Sequence, residues 1–206
     1  NLTANVYGGD IDTRIGQEIM LGIGGVRLLH SLGITPSVYH MNEGHSAFLS
    51  LELLFQEMKS GKNKADADAA VKQKCVFTTH TPVPAGHDRF GSELVRHALG
   101  KFWSSSGMSH EDLMAYGRVN PSDQHEQFTM TVLALKMSRG ANGVSKLHGK
   151  VSRDMWKNLY PDKPVDEIPI GHITNGVHTP GWATRHAHEF WNKRLGFDWT
   201  HRLVEP

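Results

Sequence analysis

Three short segments of this chain set amide, carboxylate, hydroxyl and imidazole groups beside glycine or proline. They are His40-Met41-Asn42-Glu43-Gly44-His45, Thr79-His80-Thr81-Pro82 and Thr174-Asn175-Gly176-Val177-His178. Each follows a run with strand character, so each reads as a turn at the carboxyl end of a strand. In open α/β sheets, ligands bind outside those ends. Together the three turns would line a cleft with donors and acceptors at fixed positions, the inventory that a polyhydroxylated ligand such as a sugar requires. Any one of them alone is also explained as a capping turn whose histidine is satisfied by backbone; the three in combination favour a site.

Other chemistries fit the residues less well. His40, Glu43 and His45 could in principle ligate one zinc, as could His186 and His188 with a distant carboxylate, but neither spacing is diagnostic. HExxH is absent and the single cysteine, Cys75, excludes a thiolate cluster, so no metal is expected. Gly22-Ile23-Gly24-Gly25 is not a dinucleotide fingerprint, because the third glycine position is Arg27. There is no GxxxxGK[ST] phosphate loop and no GxSxG nucleophile elbow. Trp103, Trp156, Trp182, Trp191 and Trp199 are dispersed, and core packing is their default role.

The elements that must position these turns alternate between helix and strand. After an Asp12/Thr13 cap signal, Ile15, Ile19, Val26 and Leu29 recur at helical spacing up to Gly33. Gly22, Gly24 and Gly25 lie inside that helix, each costing roughly 1 kcal/mol against alanine. A helix that tolerates them is expected to let another backbone or a ligand come close. Ser37 to Met41 reads as a strand, followed by a helix with Phe48, Leu51, Phe55 and Met58 on one side. Ser60 to Lys74 reads as a polar segment with a short solvated helix, and Cys75 to Thr79 as a second strand before a proline-rich loop, Thr81 to Gly86. From Phe90 to Tyr160 the pattern is mostly helical, with Phe128, Val132 and Leu135 on one apolar face and Val144, Leu147, Val151 and Met155 on another. Ile168 to Ile173 reads as a third strand, and Thr179-Pro180 as the cap and first turn of the last helix. Strands separated by helices imply an α/β fold with a parallel sheet and right-handed crossovers.

Composition bounds the partners. The 206 residues carry a net charge of +1, which gives no electrostatic reason to expect nucleic acid or an anionic membrane. The longest apolar stretch, Ile19 to Val26, contains three glycines and is far too short to span a bilayer. One cysteine fits a reducing compartment. The 14 histidines would carry the charge from +1 towards +15 if all were protonated, and glycine, at 21 residues, is in excess. The chain starts at Asn1 and stops at Glu205-Pro206, so both ends read as cuts within a longer protein, and the Asn1-Leu2-Thr3 sequon as chance.

Five segments, in order, resemble the α-glucan phosphorylases of the shorter bacterial and archaeal type. They are YGGDIDTRIGQE (Tyr7 to Glu18), YHMNEGHSAF (Tyr39 to Phe48), FTTHTPVPAGHDRF (Phe77 to Phe90), ANGVSKLHG (Ala141 to Gly149) and ITNGVHTPGW (Ile173 to Trp182). The resemblance covers nearly all 206 residues. It implies a GT-B glycosyltransferase of two domains, each with a Rossmann-like parallel sheet, cytoplasmic and of a kind that often forms homodimers, with this chain as residues 1–206 of a partial amino-terminal glucan-binding domain. It implies phosphorolysis of terminal α-1,4-linked glucose by inorganic phosphate to α-glucose 1-phosphate, with pyridoxal phosphate as cofactor. By motif, His80 is the catalytic-site histidine whose backbone carbonyl contacts the glucose. Asn175 binds a hydroxyl of that glucose, and Glu43 and His45 reach the glucan near the cleavage point. Animal members have Asp-Thr-His where this chain has Glu43-Gly44-His45, and asparagine in place of Thr79. The cofactor lysine and the phosphate-binding basic residues belong to the family's carboxyl-terminal domain; Lys146 is not that lysine. This chain alone is therefore expected to be inactive and to hold cofactor weakly or not at all. A nucleotide-sugar-dependent glucan glycosyltransferase of the same fold and a non-catalytic carbohydrate-binding module are the alternatives.

Overall fold

A computed structural model of the chain describes residues 2–3 and 9–201. Asn1 of the sequon and Tyr7-Gly8 of the first motif lie outside the described residues. By its internal contacts the chain divides into a large unit, residues 1–174, and a small one, residues 175–206.

The large unit is built on a four-stranded parallel sheet, β1 (Tyr39–Asn42), β2 (Cys75–Thr79), β5 (Gly140–Gly143) and β6 (Ile170–His172), in that spatial order. The parallel α/β sheet expected from the alternation of elements is present. Register pairs Asn42 with Thr78, and Thr78 with Asn142, so the polar strand ends lie side by side. They are cross-linked: Thr78 Oγ1 donates to Asn142 Oδ1 at 3.0 Å, and His40 Nε2 bonds Thr78 Oγ1 at 2.8 Å. A hydroxyl has one proton, so the His40–Thr78 bond is donated by the imidazole.

β5 is a correction, because residues 140–143 fall within the stretch read as mostly helical. Gly140-Ala141-Asn142-Gly143 lacks the β-branched, alternating pattern that marks a strand. It is a strand because both of its edges are paired, to β2 and to β6. A second departure is the two-residue antiparallel ribbon of β3 (Arg89–Phe90) and β4 (Phe128–Thr129). Phe128 therefore precedes its helix, α7 (Met130–Lys136).

The first helix is interrupted. It runs as α1 (Ile11–Ile19), a π-helical turn over Met20–Gly24, and α2 (Gly25–Ser31). Its cap is Asp10, which accepts from Thr13 N at 2.8 Å, two residues before the expected start. The close approach expected of the glycines holds at Gly22, where a Cβ would stand 2.7 Å from Leu49 N. At Gly25 a Cβ would meet nothing. Gly22 thus lets α3 (Phe48–Lys59) lie backbone to backbone against the π turn. The first two turns of α3 are buried all round, as a helix at the centre of a domain must be. α4 (Lys64–Lys74) is the expected solvated helix, capped by Asn63 and burying only Ala67 and Val71.

α5 (Ser92–Ser104) and α6 (His110–Gly117) complete the crossover from β2 to α7 and β5. Phe48 stacks on Phe90 and tilts against Phe128, with ring centroids 6.4 and 5.9 Å apart. α8 (Lys146–Met155) turns a different face inward from the one its apolar residues suggest: His148 and Ser152 are buried, while Leu147 is 72% exposed. Backbone proximity decides this, since a Cβ on Gly149 would sit 2.8 Å from Gly171 O of β6. Among the described residues, no helix is long and apolar enough to cross a membrane.

The small unit holds a single helical turn, α9 (Thr179–Trp182), and α10 (Arg185–Leu195). The last helix is capped by Thr184, which accepts from Ala187 N at 3.2 Å, rather than by Thr179.

Candidate functional site

A polar cavity of about 850 Å³ opens at the carboxyl ends of β1 and β2. β1 and its turn contribute Asn42, Glu43, Gly44 and His45, and the loop after β2 contributes His80, Thr81 and Gly86 to Phe90. Asp10, Ile11 and Arg14 of the first helix and Thr131 of α7 close it. The structure brings together Glu43, His45 and His80. Asn175 is the first residue of the small unit.

Glu43 is the one residue other than glycine with positive φ among the described residues, at 70°. Non-glycine side chains avoid that region, so something must hold it there. Its backbone N donates to Thr78 O at 2.8 Å. Its carboxylate accepts from His80 N at 2.7 Å, Thr81 Oγ1 at 2.8 Å, Gly44 N at 3.2 Å and Thr79 Oγ1 at 3.4 Å. The acid therefore staples the end of β1 to the end of β2, with its lone pairs engaged by the protein.

That staple fixes His80. Its backbone N is held by Glu43, and its ring Nε2 lies 2.6 Å from Asn42 Oδ1. An amide oxygen only accepts, so Nε2 carries the proton. Among the described residues, the His80 carbonyl accepts no hydrogen bond.

His45 stands in a different environment. Arg14 Nη2 lies 3.2 Å from its Nδ1, and also 2.8 Å from Asp88 Oδ2. Arg14 Nε donates to Asp88 Oδ1 at 3.2 Å and stands 3.2 Å from Glu18 Oε1. Burial lowers the His45 pKa, and the Arg14 charge adds to this. Glu18 is 1% exposed; burial and then the Asp88 charge push its carboxyl up to about 9. Burial acts to raise Asp88 as well, but hydrogen bonding from Arg14 and from Glu18, with the Arg14 charge, outweighs it and holds that carboxyl below its usual range.

Ligand atoms of Glu18, His45 and Asp88 lie within 4.8 Å of one another, the one grouping among the described residues that could reach a metal ion. The Arg14 guanidinium already lies against all three. The set His40, Glu43 and His45 does not converge, because His40 turns to Thr78 and Glu43 to the end of β2.

Arg14, Glu18 and Asp88 were not expected in the site, nor was Asn42 given a role. Arg14 and Glu18 lie four apart on one helix, a spacing that usually marks a surface ion pair. Only packing shows that the pair faces inward.

No protein-family model matches the chain. It is 44% identical to maltodextrin phosphorylase of Thermococcus litoralis over 194 residues, 94% of this chain and 22% of that protein. It is 42% identical to glycogen phosphorylase of Mycobacterium tuberculosis over 195 residues, 89% of this chain and 22% of the relative. Glycogen phosphorylase of Aquifex aeolicus is 32% identical over 95% of the chain and 28% of its own length. The chain thus spans between a fifth and a third of these relatives, matching one segment of each. Over that segment, the chain is similar to the maltodextrin and glycogen phosphorylases.

Proposed function

We propose that this chain supplies part of the glucan-binding wall of an α-glucan phosphorylase. The complete protein would transfer a terminal α-1,4-linked glucose reversibly to inorganic phosphate, giving α-glucose 1-phosphate. The observation that carries the reading is the convergence of Glu43, His45 and His80 on one polar cavity at the strand ends. The family similarity supports the same assignment.

In this reading each residue has a separate task. The His80 carbonyl faces the glucose, where its dipole favours the positive charge that develops at the anomeric region during transfer. Glu43 acts through His80, holding that peptide in place. His45 and Asn175 bind sugar hydroxyls. The same reading makes the protein a cytoplasmic enzyme, a homodimer, with glucan or maltooligosaccharide and phosphate as its partners.

Pyridoxal phosphate is the cofactor the family implies, and its aldehyde requires a lysine amine. The cavity lining includes no lysine among the described residues. Lys136, whose pKa burial pulls down to about 8, donates to the carbonyls of Ala115 and Arg118 and lies outside the lining. The residues present do not fit the cofactor.

The test is calorimetric titration of the chain with maltooligosaccharides, beside an assay of phosphate-dependent glucose 1-phosphate release with pyridoxal phosphate added. Saturable binding without turnover is the expected result. Turnover by the chain alone would show that it is a complete enzyme, and absence of binding would remove the glucan-wall reading.

A further inference from the structure

The cluster of Arg14, Glu18, His45 and Asp88 is poorly satisfied if each group has its usual charge. Arginine only donates. The short contact from Arg14 Nη2 to His45 Nδ1 is a hydrogen bond only if Nδ1 is unprotonated, which makes the ring neutral with its proton on Nε2. An imidazolium would set two donors against each other. Glu18 presents the converse problem. As an ionised carboxylate it finds, among the described residues, no hydrogen-bond donor for either oxygen, although it is almost fully buried. The nearest N–H, Arg14 Nε, is directed at Asp88 Oδ1. A proton on Glu18 resolves this, because its O–H can donate to the neighbouring Asp88 carboxylate. The pair then bears one negative charge, balanced by one guanidinium, with no unpaired buried charge left over.

We propose that Arg14 is a positioning residue that holds His45 as the neutral Nε2–H tautomer, and that Glu18 is a protonated carboxyl which, with Asp88, keeps the guanidinium in place. Among the described residues, the charged or titratable groups facing His45 include Arg14, Asp88, Glu43 and His80, and those facing Glu18 include Arg14 and Asp88. Two of these four neighbours of His45 are cationic or can become so, which opposes a third positive charge on its ring. Under the glucan reading, on which this last consequence rests, His45 meets the sugar as a fixed neutral group whose proton position is set from below. The resident cation of the cluster is the guanidinium, in the place a divalent metal would otherwise take.

The decisive measurement is made on the unaltered chain: long-range ¹H–¹⁵N correlation spectra with histidine labelled, at pH 7. His45→Gln identifies the His45 signals. An Nε2–H pattern is expected, and Arg14→Met should convert it to a tautomer mixture. An Nδ1–H or doubly protonated ring in the unaltered chain overturns the proposal. The Glu18 arm is a difference infrared spectrum between the unaltered chain and Glu18→Gln at pH 7. Loss of a protonated-carboxyl stretch is expected; loss of carboxylate bands overturns it. Glu18→Gln keeps the neutral shape and should leave the His45 spectrum unchanged. Zinc added alone should leave the His45 signals in place, and a stoichiometric shift would replace the guanidinium reading with a metal site. For maltooligosaccharide, Arg14→Met should raise Kd about tenfold. If the unaltered chain binds no glucan, the glucan reading fails while the tautomer result still decides this proposal.

Discussion

Two walls of one cavity hold their polar groups by opposite means. On the β1–β2 wall, the Glu43 carboxylate is surrounded by neutral donors: two backbone N–H groups and two hydroxyls. On the α1 wall, Arg14 is shared among Asp88, Glu18 and His45, so charges answer charges and donors are scarce. The first arrangement makes a rigid anchor whose charge is dispersed. The second couples protonation to geometry, because moving one proton changes which contacts are attractive. The anchor carries a backbone residue at positive φ, and the coupled cluster carries a buried acid at an altered pKa.

The contrast can be broken most strongly by pH. The folded pKa of Glu18 is raised from 4.5 to about 9, so between those values the folded state binds more protons than the unfolded state. Its contribution to stability is complete below about pH 4.5 and is lost as pH rises towards 9. Urea midpoints taken at intervals from pH 5 to 9 should fall more steeply for the unaltered chain than for Glu18→Gln. The difference should be on the order of 1 kcal/mol per pH unit. Parallel slopes for the two proteins would place an ionised Glu18 in the native state.

Next comes removal of the anchor. Glu43→Ala takes the carboxylate from four donors while leaving a side chain at positive φ, and should cost about 3 kcal/mol in urea unfolding. Glu43→Gly removes the same bonds but relieves the backbone, so it should be about 1 kcal/mol less damaging than alanine. Equal costs would mean that the positive φ stores no strain. Neither variant should alter the pH slope that Glu18 sets, and this separates the two walls.

Smaller effects test ligand contact. His45→Ala should weaken maltooligosaccharide binding by about 1–2 kcal/mol, measured calorimetrically at pH 7. Asn42→Ala frees the His80 ring and leaves the Glu43 staple in place, so it should cost about 1 kcal/mol or less. A larger loss for Asn42 than for His45 would shift the recognition role from the α1 wall to the strand ends.

Much of the positioning scaffold was legible in advance. The β-branched and aromatic run of β2, the turn after β1 and the apolar spacing of α3 announce themselves by residue type, and the strand-end turns held Glu43, His45 and His80 together. β5 was not legible, since a glycine-rich tetrapeptide has no strand signature until partners flank it on both sides. The buried face of α8 was misread for a related reason: Gly149 brings it close to β6, and close backbone approach overrode the apolar pattern. Arg14 and Asp88 fell within recognisable motifs, but their role depends on Glu18 being buried beneath them.

The sequence by itself determined the alternation of strands and helices, the polar turns, and the similarity of this segment to the phosphorylases, because these depend on local residue type and order. Tertiary structure decided that Glu43 spends its carboxylate on the end of β2 and that Arg14 stands where a metal could. It also decided that Glu18 lies in the dark side of a helix where its charge is costly. Those outcomes arise from desolvation and from hydrogen bonds across 31 to 74 residues of chain, which only the folded arrangement brings within reach.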